Sequence, residues 1–274
     1  MGKNHLLSGL GGSVKSKLSI LIPGIRTEHW DRVYQEIKNS CNRHSFEVIF
    51  SSYKTLPESL RNEDNVKFVY DAGCPSRCLQ HSSTFAEGEY LAIMSDDCVV
   101  LQNSLSDSIE QLERSEAPDR NILALRYTEG QNYRANPNDF DHKYWNAKYH
   151  GDLRTPGIED NWLICLMFLM RTEAFRWLGG IDCRFEHFNM NLHDLAFRAQ
   201  RSGSRVLTST GFVTAHDWEP HRDISTSPIM QAYHLNDKPL FDSIYSRRET
   251  SQGRQIRIDY DNWKSVPEVW PRRR

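Results

Sequence analysis

The first hundred residues alternate short apolar runs with amphipathic stretches, and that alternation constrains the fold more than any single motif. Leu18-Ser19-Ile20-Leu21-Ile22-Pro23 is nearly continuous in apolar side chains, as a strand covered on both faces must be. Phe46 to Phe50, Val66 to Val69 and Tyr90 to Met94 read as further strands. Between the first two, Trp30, Val33, Tyr34 and Ile37 fall on one helical face, with Thr27 placed to cap the helix. Residues 75–86 supply a second helix, which Gly88 ends. Such repetition predicts an α/β fold, Rossmann-like, with a mostly parallel central sheet flanked by helices and joined by right-handed crossovers. Ligands of such sheets bind beyond the carboxyl ends of the strands.

One predicted strand end carries chemistry. Ala92-Ile93-Met94 runs into Ser95-Asp96-Asp97, and the chain resumes with Val99 and Val100. An Asp-rich turn explains the pair if the side chains bond their own backbone. A divalent cation explains it if the strand delivers hard oxygen ligands. Taken alone, the stretch leaves both readings open.

Downstream, a helix through Leu112 and a strand from Ile122 to Leu125 continue the pattern. Residues 128–161 then turn polar and aromatic, without periodicity. A stretch that long is a functional loop or disorder, and Tyr133, Tyr144, Trp145 and Tyr149 favour the loop, because disorder disfavours aromatics. Leu163 to Met170 reads as a strand, followed by a short helix that Thr172 caps and Gly179-Gly180 stops. A helix from Asp194 to Gln200 stops at Gly203, and short strands follow at Arg205–Leu207 and Phe212–Ala215. Pro228 opens a helix from Ile229 to Leu235. The organisation expected is a flexible 1–16, a domain over 17–217 divided into 17–127 and 128–217, and a C-terminal extension over 218–274.

Bulk properties exclude several classes. With 34 basic and 36 acidic residues the net charge is -2, so no global field draws nucleic acid or an acidic membrane, although Arg272, Arg273 and Arg274 are locally basic. The longest apolar run, Trp162 to Met170, is too short to span a bilayer, so no transmembrane segment is expected. No signal peptide opens the chain, and Leu6 stands where myristoylation requires Ser or Thr. The six cysteines are scattered, and the Cys74–Cys78 spacing has no second pair, which predicts free thiols in a cytoplasmic protein rather than a zinc site.

In order, "LSILIPG", "GCPSRCLQHSSTFAEGEYLAIMSDD", "FLMRTEAFRWLGGID", "HDLAFRAQRSG" and "VTAH" are spread over residues 17 to 217. Together they resemble the family 2 glycosyltransferases of the GT-A fold. The resemblance implies transfer of a sugar from a nucleotide-sugar to an acceptor hydroxyl, with inversion, assisted by Mn2+ or Mg2+. A departing diphosphate accumulates charge, which a divalent ion neutralises.

The resemblance also implies roles for residues. Asp97 matches the family's metal-binding Asp, with Asp96 beside the donor and Ser95 replacing the usual first Asp or Asn. His216 matches a late metal-binding His at a strand end. Pro23, Gly24 and Arg26 match the loop that holds the nucleotide base, where Gly24 would let the backbone approach the ligand. Ser51 and Ser52 stand where an Asp that recognises uracil is usual; Ser52 is retained as a donor-side residue and a UDP-linked donor is expected. Ser76 and Arg77 fall on a donor-side helix start, where a guanidinium suits phosphate oxygens. Asn191-Leu192-His193-Asp194-Leu195-Ala196-Phe197-Arg198 matches the element that carries the catalytic base. Leu192 occupies the usual base position, which leaves Asp194, or else Glu186 or His193, to accept the hydroxyl's proton; Asp194 could equally only pair Arg198 four residues on. Tyr144 and Trp145 are the acceptor-side candidates.

Two other readings compete. A nucleotidyltransferase also sets carboxylates and a metal beside a diphosphate, but its Gly-rich basic first loop is absent from Pro23-Gly24-Ile25-Arg26-Thr27. A non-catalytic nucleotide- or sugar-binding protein with a decayed active site is favoured by Ser95 and Leu192. The acceptor, whether a glycan, a lipid-linked sugar, a protein, a small molecule or a modified nucleic-acid base, is not written in the sequence, and neither is the oligomeric state.

Overall fold

The computed structural model describes residues 16–130, 143–145, 148–149, 163–217 and 227–273. Tyr133, residues 1–15 of the segment expected to be flexible, and most of the polar stretch 128–161 lie outside the described residues.

The alternation is realised as β1 (Leu18–Pro23), α1 (Trp30–Ser40), β2 (Phe46–Ser52), β3 (Val66–Tyr70), α2 (Pro75–Ser83), β4 (Tyr90–Ile93), β5 (Val99–Val100) and α3 (Ser104–Glu113). It continues with β6 (Ile122–Gly130), β7 (Lys143–Trp145), β8 (Lys148–Tyr149), β9 (Leu163–Ile164), β10 (Phe168–Arg171), α4 (Thr172–Trp177), α5 (Phe188–Arg201) and β11 (Val206–Asp217). The main sheet runs β3-β2-β1-β4-β10-β6-β11-β5, with β7 also paired to β6. The parallel expectation holds across β3, β2, β1 and β4. Beyond them the sheet is mixed: β10 is antiparallel to both its neighbours, and β5 is antiparallel to β11.

Period-two alternation divides the strand residues between two cores. Ile20, Ile22, Val48, Phe50 and Met94 face α1 and α3, where Trp30 stacks on Phe50 at 4.5 Å between ring centroids. Leu21, Ile49, Leu91 and Ile93 face α2, α4 and α5, with Leu79, Phe175, Leu192 and Leu195. Each such side chain contributes roughly 1.5–3 kcal/mol relative to exposure, so the strands are fixed in register and their carboxyl ends are held in one row.

Several boundaries differ from the sequence expectation. Thr27 opens a 3₁₀ turn and α1 begins at Trp30, with no side-chain cap. The run from Leu163 to Met170 breaks into β9 and β10, because β9 pairs with β8 outside the main sheet; apolarity marks burial but not partner. Thr172 donates its hydroxyl to the Gly88 carbonyl instead of capping α4. The stop after α4 holds, with Gly179 at φ 84° and Gly180 at φ 70°. Helix α5 starts at Phe188, six residues before the expected Asp194, with the His187 ring accepting the Asn189 N–H. The two short strands near 205–215 are one strand, β11, with irregularities near Phe212. Across them the Ser209 hydroxyl accepts the Arg126 N–H at 2.9 Å.

The extension folds back over the domain. After α6 (Pro228–Ala232) a π-helical turn, Tyr233–Asp237, leads into α7 (Lys238–Tyr245) and α8 (Arg248–Gly253). The expected helix from Ile229 to Leu235 is thus α6 plus part of that turn. Phe241 and Tyr245 pack on Phe185, Met190 and Phe197. The segment after α8 then crosses to α2 and the end of β3, where Gln80 donates to the Tyr260 carbonyl and the Trp270 N–H to the Ala72 carbonyl. No helix among the described residues is long and apolar enough to cross a membrane.

Candidate functional site

The two valines after the carboxylate pair explain its surroundings. Val99 and Val100 pair antiparallel with Ala215 and Thr214. Asp97 lies just before one strand of this ladder, and His216 just after Ala215 on the other. Their side chains meet, with Asp97 Oδ1 at 3.8 Å from His216 Nδ1 and exposures of 35% and 20%. The Tyr127 ring stands edge-on to the imidazole, with centroids 5.4 Å apart.

The neighbouring carboxylates do different work. Asp96 turns inward and is 2% exposed. Its Oδ2 accepts the N–H groups of Ile25 and Arg26, each at 2.9 Å, and its Oδ1 accepts Nε and Nη2 of Arg26. A Cβ at Gly24 would collide with that carboxylate. Gly24 therefore makes room for Asp96 rather than for a ligand, and Asp96 anchors the loop after β1 instead of touching a donor. That loop presents Arg26, whose Nη1 lies 2.7 Å from Asp97 Oδ2.

Burial pushes the Asp97 carboxyl up. The Arg26 and His216 charges and the Ser95 hydroxyl outweigh it and hold the group below its ordinary value, which favours the carboxylate form. Among the described residues no group of three His, Cys, Asp or Glu could hold a metal. Asp97 supplies a hard oxygen and His216 a nitrogen, which fit a divalent cation whose remaining positions are left to substrate oxygens.

Other expected donor residues point elsewhere. Pro23 ends β1 and is buried. Ser52 is 1% exposed and its hydroxyl accepts the Lys54 N–H. Ser76 is fully buried and accepts the Asn191 amide at 2.5 Å. Arg77, 5% exposed, donates to Asp71 and to the Trp263 and Val266 carbonyls. Ser76 and Arg77 thus join α2 to α5 and to the extension, and neither is presented to a phosphate.

The expected base is also corrected. Asp194 is 0% exposed and accepts from Arg198 Nε, Arg254 Nε and Nη2, and Tyr245 Oη, at 2.6–2.8 Å. Burial pushes its carboxyl up, but the Arg198 and Arg254 charges and the donated hydrogen bonds hold it far below the ordinary range. A carboxylate so enclosed has no access to an acceptor hydroxyl; it secures α5 to the extension. Glu186 reaches the surface at 21% side-chain exposure, yet it accepts from Trp270 Nε1 and from Arg272 at 2.6 and 2.9 Å. His193 is 4% exposed, edge-on to Phe241. Leu192 is fully buried in the core. Arg254 and Tyr245, which close over Asp194, carry no local signal: they stand 60 and 51 residues away in sequence. Tyr144 and Trp145 lie in β7, opposite Thr128 and Tyr127.

No family model matches the sequence, and no curated protein matches it. Among solved structures the chain is similar to TarS 1–349 of S. aureus, with a TM-score of 0.50 and 16% identity over 73% of this chain. It is also similar to the mannosyltransferase PcManGT of Pyrobaculum calidifontis, solved with GDP-Man and Mn2+, with a TM-score of 0.50 and 14% identity over 81% of this chain. The chain spans 60% and 63% of the lengths of those two proteins. The likeness shows the fold: an α/β architecture of the GT-A type.

Proposed function

We propose that the chain is a metal-assisted glycosyltransferase that moves a sugar, with inversion, from a nucleotide-sugar to an acceptor hydroxyl. The observation that carries this reading is the meeting of Asp97 and His216 at the strand ends of a GT-A-type sheet. Mn2+ or Mg2+ is the ion proposed, and the likeness to a mannosyltransferase solved with Mn2+ supports it. When bound, such an ion neutralises the charge that develops on the departing diphosphate. Asp97 and His216 would hold it, while Asp96 and Gly24 fix the loop that carries Arg26 toward the same place. A UDP-linked donor rests on the resemblance of the β1 loop, and a GDP-linked one is its alternative. Of the two carboxylates expected as base, Glu186 remains, and it would have to release Arg272 to accept a proton. The 217/218 division and a cytoplasmic setting belong to the same proposal.

A panel of UDP- and GDP-sugars incubated with Mn2+, then with chelator, tests the reading. Release of the nucleoside diphosphate that stops on chelation is expected. Mn2+-dependent nucleotide binding without any release would favour the second reading, a nucleotide-sugar-binding protein without turnover, to which the buried Leu192 and the enclosed Asp194 lend support.

Aromatic faces with polar tips suit stacking on sugar rings. Replacing Tyr144 and Trp145 together by Ala is expected to raise the acceptor's KM about tenfold, which corresponds to about 1.4 kcal/mol, and to spare donor hydrolysis. Steady-state kinetics with the acceptor varied checks this, and equal loss of both activities would mark a structural role.

A further inference from the structure

We infer that Arg26 is a resident counter-cation of Asp97 that passes to the donor's diphosphate, so that metal and nucleotide bind as a pair rather than singly. The inference rests on the functional reading above and assigns a new role within that site.

The guanidinium has two edges with different tasks. Nε and Nη2 hold Asp96, which is buried and also fixed by two backbone N–H groups. Nη1 alone reaches across to Asp97 Oδ2 at 2.7 Å. The side chain is 35% exposed, so the guanidinium is within reach of a ligand from solvent. On the far side of Asp97, Oδ1 accepts the Ser95 hydroxyl and faces His216. The Asp97 oxygen offered to a cation is therefore already paired with a guanidinium, whose one positive charge Asp96 shares.

A divalent ion arriving alone meets like charge within a few ångströms and must compete with Arg26 for the same carboxylate, which disfavours it. A diphosphate supplies oxygen acceptors that suit a guanidinium fork. With those acceptors present Arg26 can release Oδ2 and stay paired, and Asp97 becomes available. Linkage requires the effect to be reciprocal: whatever factor the nucleotide adds to metal affinity, the metal adds to nucleotide affinity. Ser95 fits this arrangement. It stands where the resemblance expects Asp or Asn, and a second carboxylate there would hold a cation even with Arg26 in place.

The test measures free Mn2+ by its paramagnetic resonance signal, with the full chain, in the presence and absence of UDP or GDP. Wild-type protein is expected to bind Mn2+ weakly alone and at least about tenfold more tightly with nucleotide, within the usual range of coupling. Arg26→Gln is expected to bind Mn2+ alone about tenfold more tightly than wild type and to show a smaller nucleotide-dependent gain. A mere loop anchor would give the opposite sign or no change. Arg26→Lys retains a charge but cannot span Asp96 and Asp97 together, so it should fall between the two, and it decides the matter if Arg26→Gln does not fold. Mn2+ affinity no tighter in either variant, with Mn2+-dependent nucleotide binding intact in wild type, overturns the inference alone. Wild-type protein that binds neither nucleotide with Mn2+ overturns the functional reading and this inference with it.

Discussion

Asp97→Ala is expected to lower sugar transfer by at least about 10³-fold, or about 4 kcal/mol of transition-state stabilisation, and to remove Mn2+-dependent nucleotide binding while the fold persists. The side chain is a third exposed, and its contacts are Arg26, Ser95 and His216. Removing it leaves no buried charge without a partner, because Arg26 keeps Asp96. kcat and kcat/KM should fall together, since the lost interaction is with charge that develops as the sugar–phosphate bond breaks. Calorimetry with UDP and Mn2+, alongside circular dichroism, separates loss of the site from loss of structure. Unchanged Mn2+-dependent affinity would withdraw Asp97 from the metal.

The other large effect belongs to stability. Asp194→Asn keeps the shape but leaves the guanidinium groups of Arg198 and Arg254 in the interior without their shared carboxylate. Breaking a buried ion pair costs about 3–5 kcal/mol, and for a chain of this size that lowers Tm by roughly 10 °C. The sign of the pH dependence follows from the depressed carboxyl. The stabilisation is complete above the unfolded value, near 4, and is lost as pH falls below it. The wild-type advantage in urea unfolding should therefore be full at pH 7 and shrink on acidification beneath about pH 4. A variant with unchanged melting but turnover reduced roughly 10²–10⁴-fold would instead restore Asp194 as the base.

Legibility followed the range of the interaction. The first four strands and two helices were readable because burial on both faces of a strand, as in Leu18–Pro23, or on one face of a helix, as in Trp30–Ser40, writes itself into the local sequence. Asp97 and His216 were readable as a pair only through resemblance; the physical cause, the two-residue strand Val99–Val100 on β11, has no periodicity to detect. Arg77 as a phosphate ligand and Asp194 as base were misread, although the Asp194–Arg198 pair was legible, because their motif positions suggest ligand-facing helix starts, whereas both are sealed by residues 245–266. An arginine in a helix's first turn looks the same in sequence whether water or a distant carbonyl receives its protons. Reversal of β10 was likewise invisible, since an apolar run does not state its direction.

The strap that runs from Arg254 to Trp270 also has a bearing on time. Arg77 donates to the Trp263 carbonyl across 186 residues, and Val269 bridges to Ala72 over a similar span. At a synthesis rate of roughly 5–20 residues per second, the two halves of that contact emerge roughly 10–40 s apart. Through that interval the buried guanidinium of Arg77 and the amide of Gln80 lack the carbonyls that later satisfy them. Helix α2 therefore waits, half-finished, on residues 254–270. Contacts of such separation form slowly, so a nascent chain leaves that flank open for far longer than its local helices take to fold.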